Sequence, residues 1–190
     1  MSIFTKPLSQ HTFADLQELS KEAAVENIRL EFKSKVPDKD ETLKKLSSFA
    51  NSFGGFMVVG ATEKDGRLDE LPGVDEVPGY KQKVVQWCFD AVSPPLVVEV
   101  SDPIPVPAST VPTSATTSKF CYVVSTAESD VAPHFLNGRK GVWVRSDEYS
   151  QRYQPQLAEE NEIRHLLDRR QLIQERRTEV ILRSQRRFET

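Results

Sequence analysis

Residues 46–62, LSSFANSFGGFMVVGAT, combine the end of an amphipathic helix with the start of a buried strand. Apolar residues recur at spacings of three and four from Leu43 to Phe53, which is the period of one helix face. Gly54 and Gly55 then stop the helix, because glycine readily adopts the backbone conformations found at helix ends. The run that follows is short, β-rich and apolar throughout, as expected for a strand covered on both faces. The stretch therefore predicts a helix leading into the central strand of a sheet.

The segment before that helix, residues 26–33, predicts a strand with one charged face. Period-two alternation of apolar and charged residues is typical of a strand buried on one side and solvated on the other. The acid Glu26 lies where a preceding helix would enter this strand. The alternating residues are the apolar Ile28, Leu30 and Phe32 and the charged Arg29, Glu31 and Lys33.

Capping signals place helices on both sides of this strand. Thr12 and Asp15 have the spacing of a capping box, which predicts a helix from residue 12 to about residue 24. Asp40 is expected to be the N-cap of the helix that precedes the double glycine.

The remainder of the folded part predicts a mixed sheet with flanking helices. A helix is expected from residue 80 up to the prolines at 94 and 95, since proline disfavours helix in the residue before it. Strands are expected over 96–100, 119–126 and 141–145. Residues 101–118 are rich in Pro, Ser and Thr and predict a long flexible connection without chemistry. The expected fold class is α/β (α+β).

The chain divides near Pro155 into a domain over residues 1–155 and a helical tail over residues 156–190. The tail lacks glycine and proline, so one long helix or two consecutive helices should form. Leu166, Ile173 and Val180 repeat every seven residues, which leaves open whether the helix packs on its own domain or forms a homo-oligomer.

Charge is unevenly distributed along the chain. The whole chain carries −3, whereas residues 164–190 hold eight arginines against four acids, a balance of +4. A basic segment can hold a polyanion, and it can equally be the solvated face of a helix.

Composition excludes several classes of protein. With 38% apolar and 28% charged residues and no apolar run of roughly 20, the chain predicts a globular protein without a membrane role. The N-terminus has no pattern of a secretory signal, so a cytoplasmic location is expected. Cys88 and Cys121 lie in apolar surroundings and are expected to be buried, reduced thiols.

Several segments in order resemble the Schlafen-type AlbA-like (divergent AlbA) domain family. The motifs are Glu-Phe-Lys at 31–33, Phe-Ala-Asn-x-x-Gly-Gly at 49–55, Pro-His at 133–134 and Trp-Val-Arg at 143–145. The resemblance covers roughly residues 20–165. It implies nucleic-acid binding to RNA or DNA, and in the Schlafen branch a metal-dependent endoribonuclease acting on structured RNA such as tRNA.

The resemblance also implies catalytic and metal-binding acids. The first two acids of the Schlafen branch fall on Glu26 and Glu31. The third is an Asp, and its position falls on or beside Thr62 and Glu63, where this sequence offers Glu63 and, two residues on, Asp65. Carboxylate oxygens suit a hard cation, here Mg²⁺ or Mn²⁺, that polarises a phosphate and activates water.

Basic residues are the expected contacts with the phosphate backbone. Charged residues on an amphipathic strand are also often just solvated, and Arg145 can pair with an acid instead of a phosphate. His134 is expected to form hydrogen bonds, because no Cys or His lies at a zinc-like spacing. Asn51 is expected to bond to backbone. The residues expected to bind nucleic acid are Arg29, Lys33, Arg145, Arg169, Arg170, Arg176 and Arg177.

Three functions therefore stay open at this point. The first is a nucleic-acid-binding module, the second a metal-dependent endoribonuclease, and the third a non-catalytic oligomeric interaction protein.

Overall fold

A computed structural model describes residues 6–22, 24–108, 118–138, 141–145 and 154–188, with side chains up to residue 185. In chain order the elements are α1 Phe13–Lys21, β1 Leu30–Lys33, α2 Lys39–Asn51, β2 Gly55–Val59, β3 Glu63–Lys64, β4 Arg67–Leu68, β5 Val74–Asp75, α3 Tyr80–Asp90, β6 Val92–Ser93, β7 Glu99–Val100, β8 Ile104–Pro105, β9 Lys119–Thr126, β10 Phe135–Leu136, β11 Gly141–Val144, β12 Gln156–Leu157 and α4 Glu160–Phe188.

The main sheet is mixed and is built around β2. Strand β1 runs parallel to β2, from the pair Leu30↔Phe56 to the pair Lys33↔Val59, with α2 as the crossover between them. On its other side β2 pairs with β9 in the antiparallel direction. Strands β5, β7 and β8 extend the sheet along β9. The mixed sheet with flanking helices confirms the predicted fold class.

The main sheet is covered on both faces, as the apolar β2 sequence predicts. Along β2, Val58 packs with α1 on one face, whereas Met57 and Val59 pack with α2 and α3 on the other. These three side chains are fully buried. Because successive strand residues point to opposite faces, only a continuous apolar run can serve two cores.

A second sheet packs against α2 and includes the short strand that precedes α4. Its strands follow the order β12-β11-β10-β6, and α2 packs against β11 and β10. A separate hairpin, β3–β4, follows β2 directly and lies beside residues 24–26, since Leu68 N donates to Ala24 O and Glu26 N donates to Gly66 O.

The helix caps follow the predictions in one case and differ in the other. The capping box between Thr12 and Asp15 is present at α1. At α2 the predicted N-cap Asp40 is wrong. Asp38 caps the helix instead, because its carboxylate accepts the Glu41 N–H at 2.8 Å, and Asp40 lies in the first turn.

The expectation of an unstructured connection over residues 101–118 is wrong for its first part. Ile104 and Val106 are buried in the core beneath α1, and Ile104 belongs to β8. Two apolar side chains spaced two apart are enough to fix one strand on β9. Residues 109–117 lie outside the described part of the chain.

Two further elements differ from the predictions in extent. Only Glu99–Val100 of the predicted strand over 96–100 forms ladder pairs, and Val97 is exposed. Helix α3 ends at Asp90, short of the predicted limit at the prolines, and its apolar residues are only partly covered, because Val85 and Phe89 are exposed while Val84 and Cys88 are buried. Both cysteines are free and buried, as predicted.

The tail forms one helix after a short strand. Strand β12 pairs with β11, and α4 then packs Leu166 against Ala132, Val142 and Val144. Further along the helix, Val180, Ile181 and Leu182 are exposed. The boundary near residue 155 and the homo-oligomer both stay predictions. Within the described residues no helix is long and apolar enough to cross a membrane.

Candidate nucleic-acid interface

The carboxylate of Glu31 is the centre of a buried group of charges. The side chain is only 2% exposed, because the face of β1 that carries it is covered by α2. The expectation that Glu31 faces solvent is therefore wrong. Its Oε2 lies 2.5 Å from Arg145 Nη2, and its Oε1 lies 2.5 Å from Lys45 Nζ and 3.0 Å from Lys33 Nζ. Burying a charge is costly unless opposite charges compensate it, and here they do.

Arg145 is fixed in place by the last turns of α2. Its backbone N–H donates to Ser52 Oγ at 2.8 Å, and its Nε donates to Ser48 Oγ at 3.2 Å. The guanidinium lies 4.0 Å above the Phe49 ring. Ser48 lies in the last turn of α2 and Ser52 is the C-cap of the helix, so the two hydroxyls hold the backbone and the side chain of one residue at the helix end.

The double glycine of the family motif makes room for this arrangement. A Cβ at Gly55 would collide with the ring of Phe49, and the guanidinium of Arg145 lies over this same ring. Gly54 has φ +67°, and a Cβ there would lie 2.7 Å from the backbone nitrogen of Glu128. Both glycines are therefore needed to pass from α2 into β2.

Asn51 joins α2 to the second sheet. Its Nδ2 donates to Trp143 O at 2.9 Å and His134 O at 3.2 Å, and its Oδ1 accepts the His134 N–H at 2.8 Å. These bonds confirm the prediction that Asn51 bonds to backbone. His134 also forms hydrogen bonds, as expected: Nδ1 donates to Pro94 O at 2.6 Å, which leaves Nε2 to accept from Ser129 Oγ at 2.7 Å.

Lys45 is the residue that the sequence analysis missed. It is buried, and besides Glu31 it contacts Gln154, to whose Oε1 its Nζ donates at 2.5 Å. Its position in α2 was the available signal. It lies three residues from both Thr42 and Ser48, on the stripe that a helix buries.

The charges in this group shift one another's pKa values. Burial alone would raise the pKa of Glu31, but the charges of Arg145 and Lys45 outweigh it and lower that pKa. Burial, helped by Lys33 and Arg145, lowers the pKa of Lys45. For Lys33 burial also acts downward, but Glu31 and Glu41 outweigh it and raise the pKa. Glu31 is thus held ionised.

Glu26 and Glu63 lie beside this group as a pair of carboxyls. Glu26 Oε1 accepts the Phe32 N–H at 2.7 Å, and its side chain also forms a hydrogen bond with Glu63 on the β3–β4 hairpin. Burial raises the pKa of Glu26 to about 7, and the nearby charges of Glu31 and Glu63 add to this. The structure therefore brings the predicted acids together. We call Glu26, Glu31, Lys33, Lys45, Glu63 and Arg145 the charge cluster.

The other predicted phosphate contacts lie away from the charge cluster. Arg29 is exposed at a separate cleft with Gly55, beside the loop 127–131. On α4, Arg169 pairs with Glu128, and Arg177 pairs with Asp130 at 2.6 Å. Arg170 is half-buried and Arg176 is exposed. Nucleic-acid contact by these arginines stays a prediction.

The three acids predicted to bind a divalent ion differ in their surroundings. Among the residues that the structure describes, no group of at least three His, Cys, Asp or Glu side chains is arranged to hold a metal ion. Basic groups surround the oxygens of Glu31, but Glu26 and Glu63 are neighbouring carboxyls, and carboxylates suit Mg²⁺ or Mn²⁺. The described residues therefore offer two neighbouring carboxyls for an ion rather than three, and the metal site at Glu26, Glu31 and Glu63 stays a prediction.

The family comparison covers the whole charge cluster. A family model described as Schlafen, AlbA_2 matches residues 26–154, from Glu26 to the Gln154 that contacts Lys45. The chain belongs to the Schlafen, AlbA_2 family. No curated protein matches it. Membership of the Schlafen, AlbA_2 family indicates a nucleic-acid-binding domain, and both α1 and the whole of α4 lie outside the matched residues.

Replacing Arg145 by Leu should strongly destabilise the protein. The substitution leaves Glu31 buried next to fewer positive charges, which should lower the free energy of unfolding by about 3–5 kcal/mol. Chemical denaturation measures the loss. Arg145→Lys keeps the charge and should lose less, and Lys83→Ala on the exposed side of α3 should change stability by less than about 0.5 kcal/mol. A loss for Arg145→Leu no larger than that of Lys83→Ala would contradict this role.

Glu26→Gln should stabilise the protein at alkaline pH. The folded state takes up a proton at Glu26 below about pH 7, whereas the unfolded chain takes it up only below about its ordinary pKa of 4.5. Stability is therefore lost as pH rises between these values, and the full penalty is present above pH 7. Gln keeps an oxygen for the Phe32 N–H but has no charge. Its melting temperature should exceed that of the wild type at pH 8, with the difference shrinking towards pH 5. A difference independent of pH would argue against a raised pKa.

Proposed function

We propose that the domain binds nucleic acid, and that it contacts the phosphate backbone of the nucleic acid at the edge of the charge cluster. The observation that carries this proposal is the burial of Glu31 and Arg145, at 2% and 3% exposure, within the residues matched by the family. A buried ion pair contributes little net stability, because desolvation of both charges offsets their attraction. Groups of ionisable residues with shifted pKa values are more typical of functional sites.

Phosphate contacts at this edge come from cations that reach solvent. Lys33 is 23% exposed, and its Nζ lies 2.9 Å from Glu41, whose own side chain is 41% exposed. Lys64 and Arg67 are exposed on the β3–β4 hairpin that carries Glu63. Exposed ion pairs such as Lys33 with Glu41 contribute about 1 kcal/mol or less, so a phosphate can replace the carboxylate at low cost.

Binding should fall as the salt concentration rises and should depend on the hairpin cations. Fluorescence anisotropy with labelled RNA and duplex DNA, in EDTA, measures the slope of log affinity against log salt. Each lost phosphate contact should reduce this slope by about 0.9 on duplex DNA, so Lys64→Ala/Arg67→Ala should reduce it by roughly twice that amount. Lys83→Ala is the matched control and should leave the slope unchanged.

The absence of any binding at low ionic strength would overturn the proposed function. Binding that the hairpin variant leaves intact, but that Arg176→Ala weakens, would instead place the phosphate contacts on α4.

A second candidate function is a divalent-metal-dependent endoribonuclease that acts on structured RNA such as tRNA. The hydrogen-bonded pair of Glu26 and Glu63, next to Glu31, favours it. Neighbouring carboxylates repel each other and also repel phosphate, and a divalent cation relieves both repulsions. Bound there, Mg²⁺ or Mn²⁺ would polarise a phosphate and make a bound water more acidic. Glu26 and Glu63 would hold the ion, and Lys33 would orient the phosphate.

Metal binding and RNA cleavage should both require the Glu26 carboxylate in its ionised form. Since its pKa is raised to about 7, Mn²⁺ affinity measured by calorimetry should rise with pH through that value, with release of protons. Glu63→Gln should weaken Mn²⁺ binding and abolish cleavage of tRNA. Glu70→Gln, which alters an exposed acid shortly after the β3–β4 hairpin, should change neither. Cleavage that survives Glu63→Gln would assign the activity to another site or a contaminant.

A further inference from the structure

A cleft of about 390 Å³ lies directly behind Arg145, between the end of α2, the end of β11 and the first turns of α4. Its volume falls within the range of about 300–1,000 Å³ that is typical of small-molecule sites. The residues that line it include Phe53, Arg145, Asn161, His165 and Arg169.

The cleft offers flat side chains that reach solvent. Phe53 is 48% exposed at the turn after α2, although other aromatic residues of that helix region, such as Phe49, are fully buried. His165 is exposed on α4, and the Arg169 side chain is 23% exposed. Aromatic rings, imidazoles and guanidinium planes are the groups on which proteins stack unpaired nucleobases.

A polar group lies at the same cleft. The Asn161 Oδ1 accepts the Glu162 N–H at 2.9 Å, which fixes the plane of this exposed amide at the start of α4. Side-chain amides recognise the edges of bases through paired donors and acceptors. The cleft therefore combines surfaces for the face of a base with a group for its edge.

Arg145 connects this cleft to the charge cluster. Its Nη2 pairs with Glu31 at 2.5 Å while the same residue lines the cleft. Arg145 is thus shared between the wall of the cleft and the charge cluster.

We infer that this cleft takes an unpaired nucleobase, and that the substrate class is single-stranded or locally unpaired nucleic acid. The inference rests on the proposed function. The faces of bases inside a duplex are already stacked, and a base could enter only after flipping out, which costs a few kcal/mol. Single strands present these faces without that cost.

The test compares one labelled single strand with the same strand annealed to its complement. Phe53→Ala should weaken single-strand binding about ten-fold, the effect expected for loss of one stacked base, and should leave duplex binding unchanged. A fluorescent purine analogue placed in the single strand should be quenched by the wild type and not by Phe53→Ala. Phe53→Tyr should retain both properties, since it keeps the ring.

Two further variants guard against indirect effects. His165→Ala should also weaken single-strand binding, because it removes one of the flat surfaces of the cleft. His165 is exposed on a helix, so its removal should not disturb the fold. Phe89→Ala removes an exposed aromatic ring from α3 and should change neither affinity nor quenching.

The possible failures are distinct. Unchanged single-strand affinity and unchanged quenching in Phe53→Ala and His165→Ala would overturn the nucleobase cleft, while salt-dependent binding by the wild type would still support the proposed function. A wild type that binds neither strand form would overturn the proposed function and this inference together.

Discussion

The ion pair between Glu31 and Arg145 is the constraint around which the folded domain is organised. It joins the first strand of the main sheet to the residue that directly follows β11, and Ser48 and Phe49 of α2 and its C-cap Ser52 contact that arginine. Each group is nearly inaccessible to water, so neither can lose the other without leaving a buried charge. The two sheets are therefore held in one relative position by electrostatics as well as by packing.

The glycines and the asparagine of the family motif serve the same arrangement. Gly55 leaves room for the Phe49 ring, and that ring supports the guanidinium of Arg145. Asn51 holds the backbone of β11 two residues before the arginine, through Trp143 O. A motif that looks like a simple helix stop in the sequence thus also fixes the position of a charge far along the chain. Structure and site depend on the same few residues here.

The sequence predicted the local features well and the long-range ones poorly. The capping box at Thr12 and the doubly covered strand β2 follow from patterns within a few residues, and the structure confirms both. The burial of Glu31 does not follow from its neighbours, because its main partner lies 114 residues away. Alternation along β1 marks two different faces but does not show that α2 covers the charged one. For the same reason the sequence could assign roles to Glu26 and Glu63 only through the family resemblance.

The hydrogen bond from Phe32 N–H to Glu26 has a consequence for solubility. Among the described strands β1 is the last one on its side of the main sheet. On this outer edge Leu30 exchanges both of its backbone hydrogen bonds with Asn27, which leaves the Phe32 N–H as a donor. Exposed strand edges of this kind promote aggregation, and proteins commonly block them with charged side chains. Glu26 occupies the donor at the middle of this edge with a carboxylate oxygen. The residue that completes the acidic pair thus also occupies the backbone donor to which an added strand would have to bond.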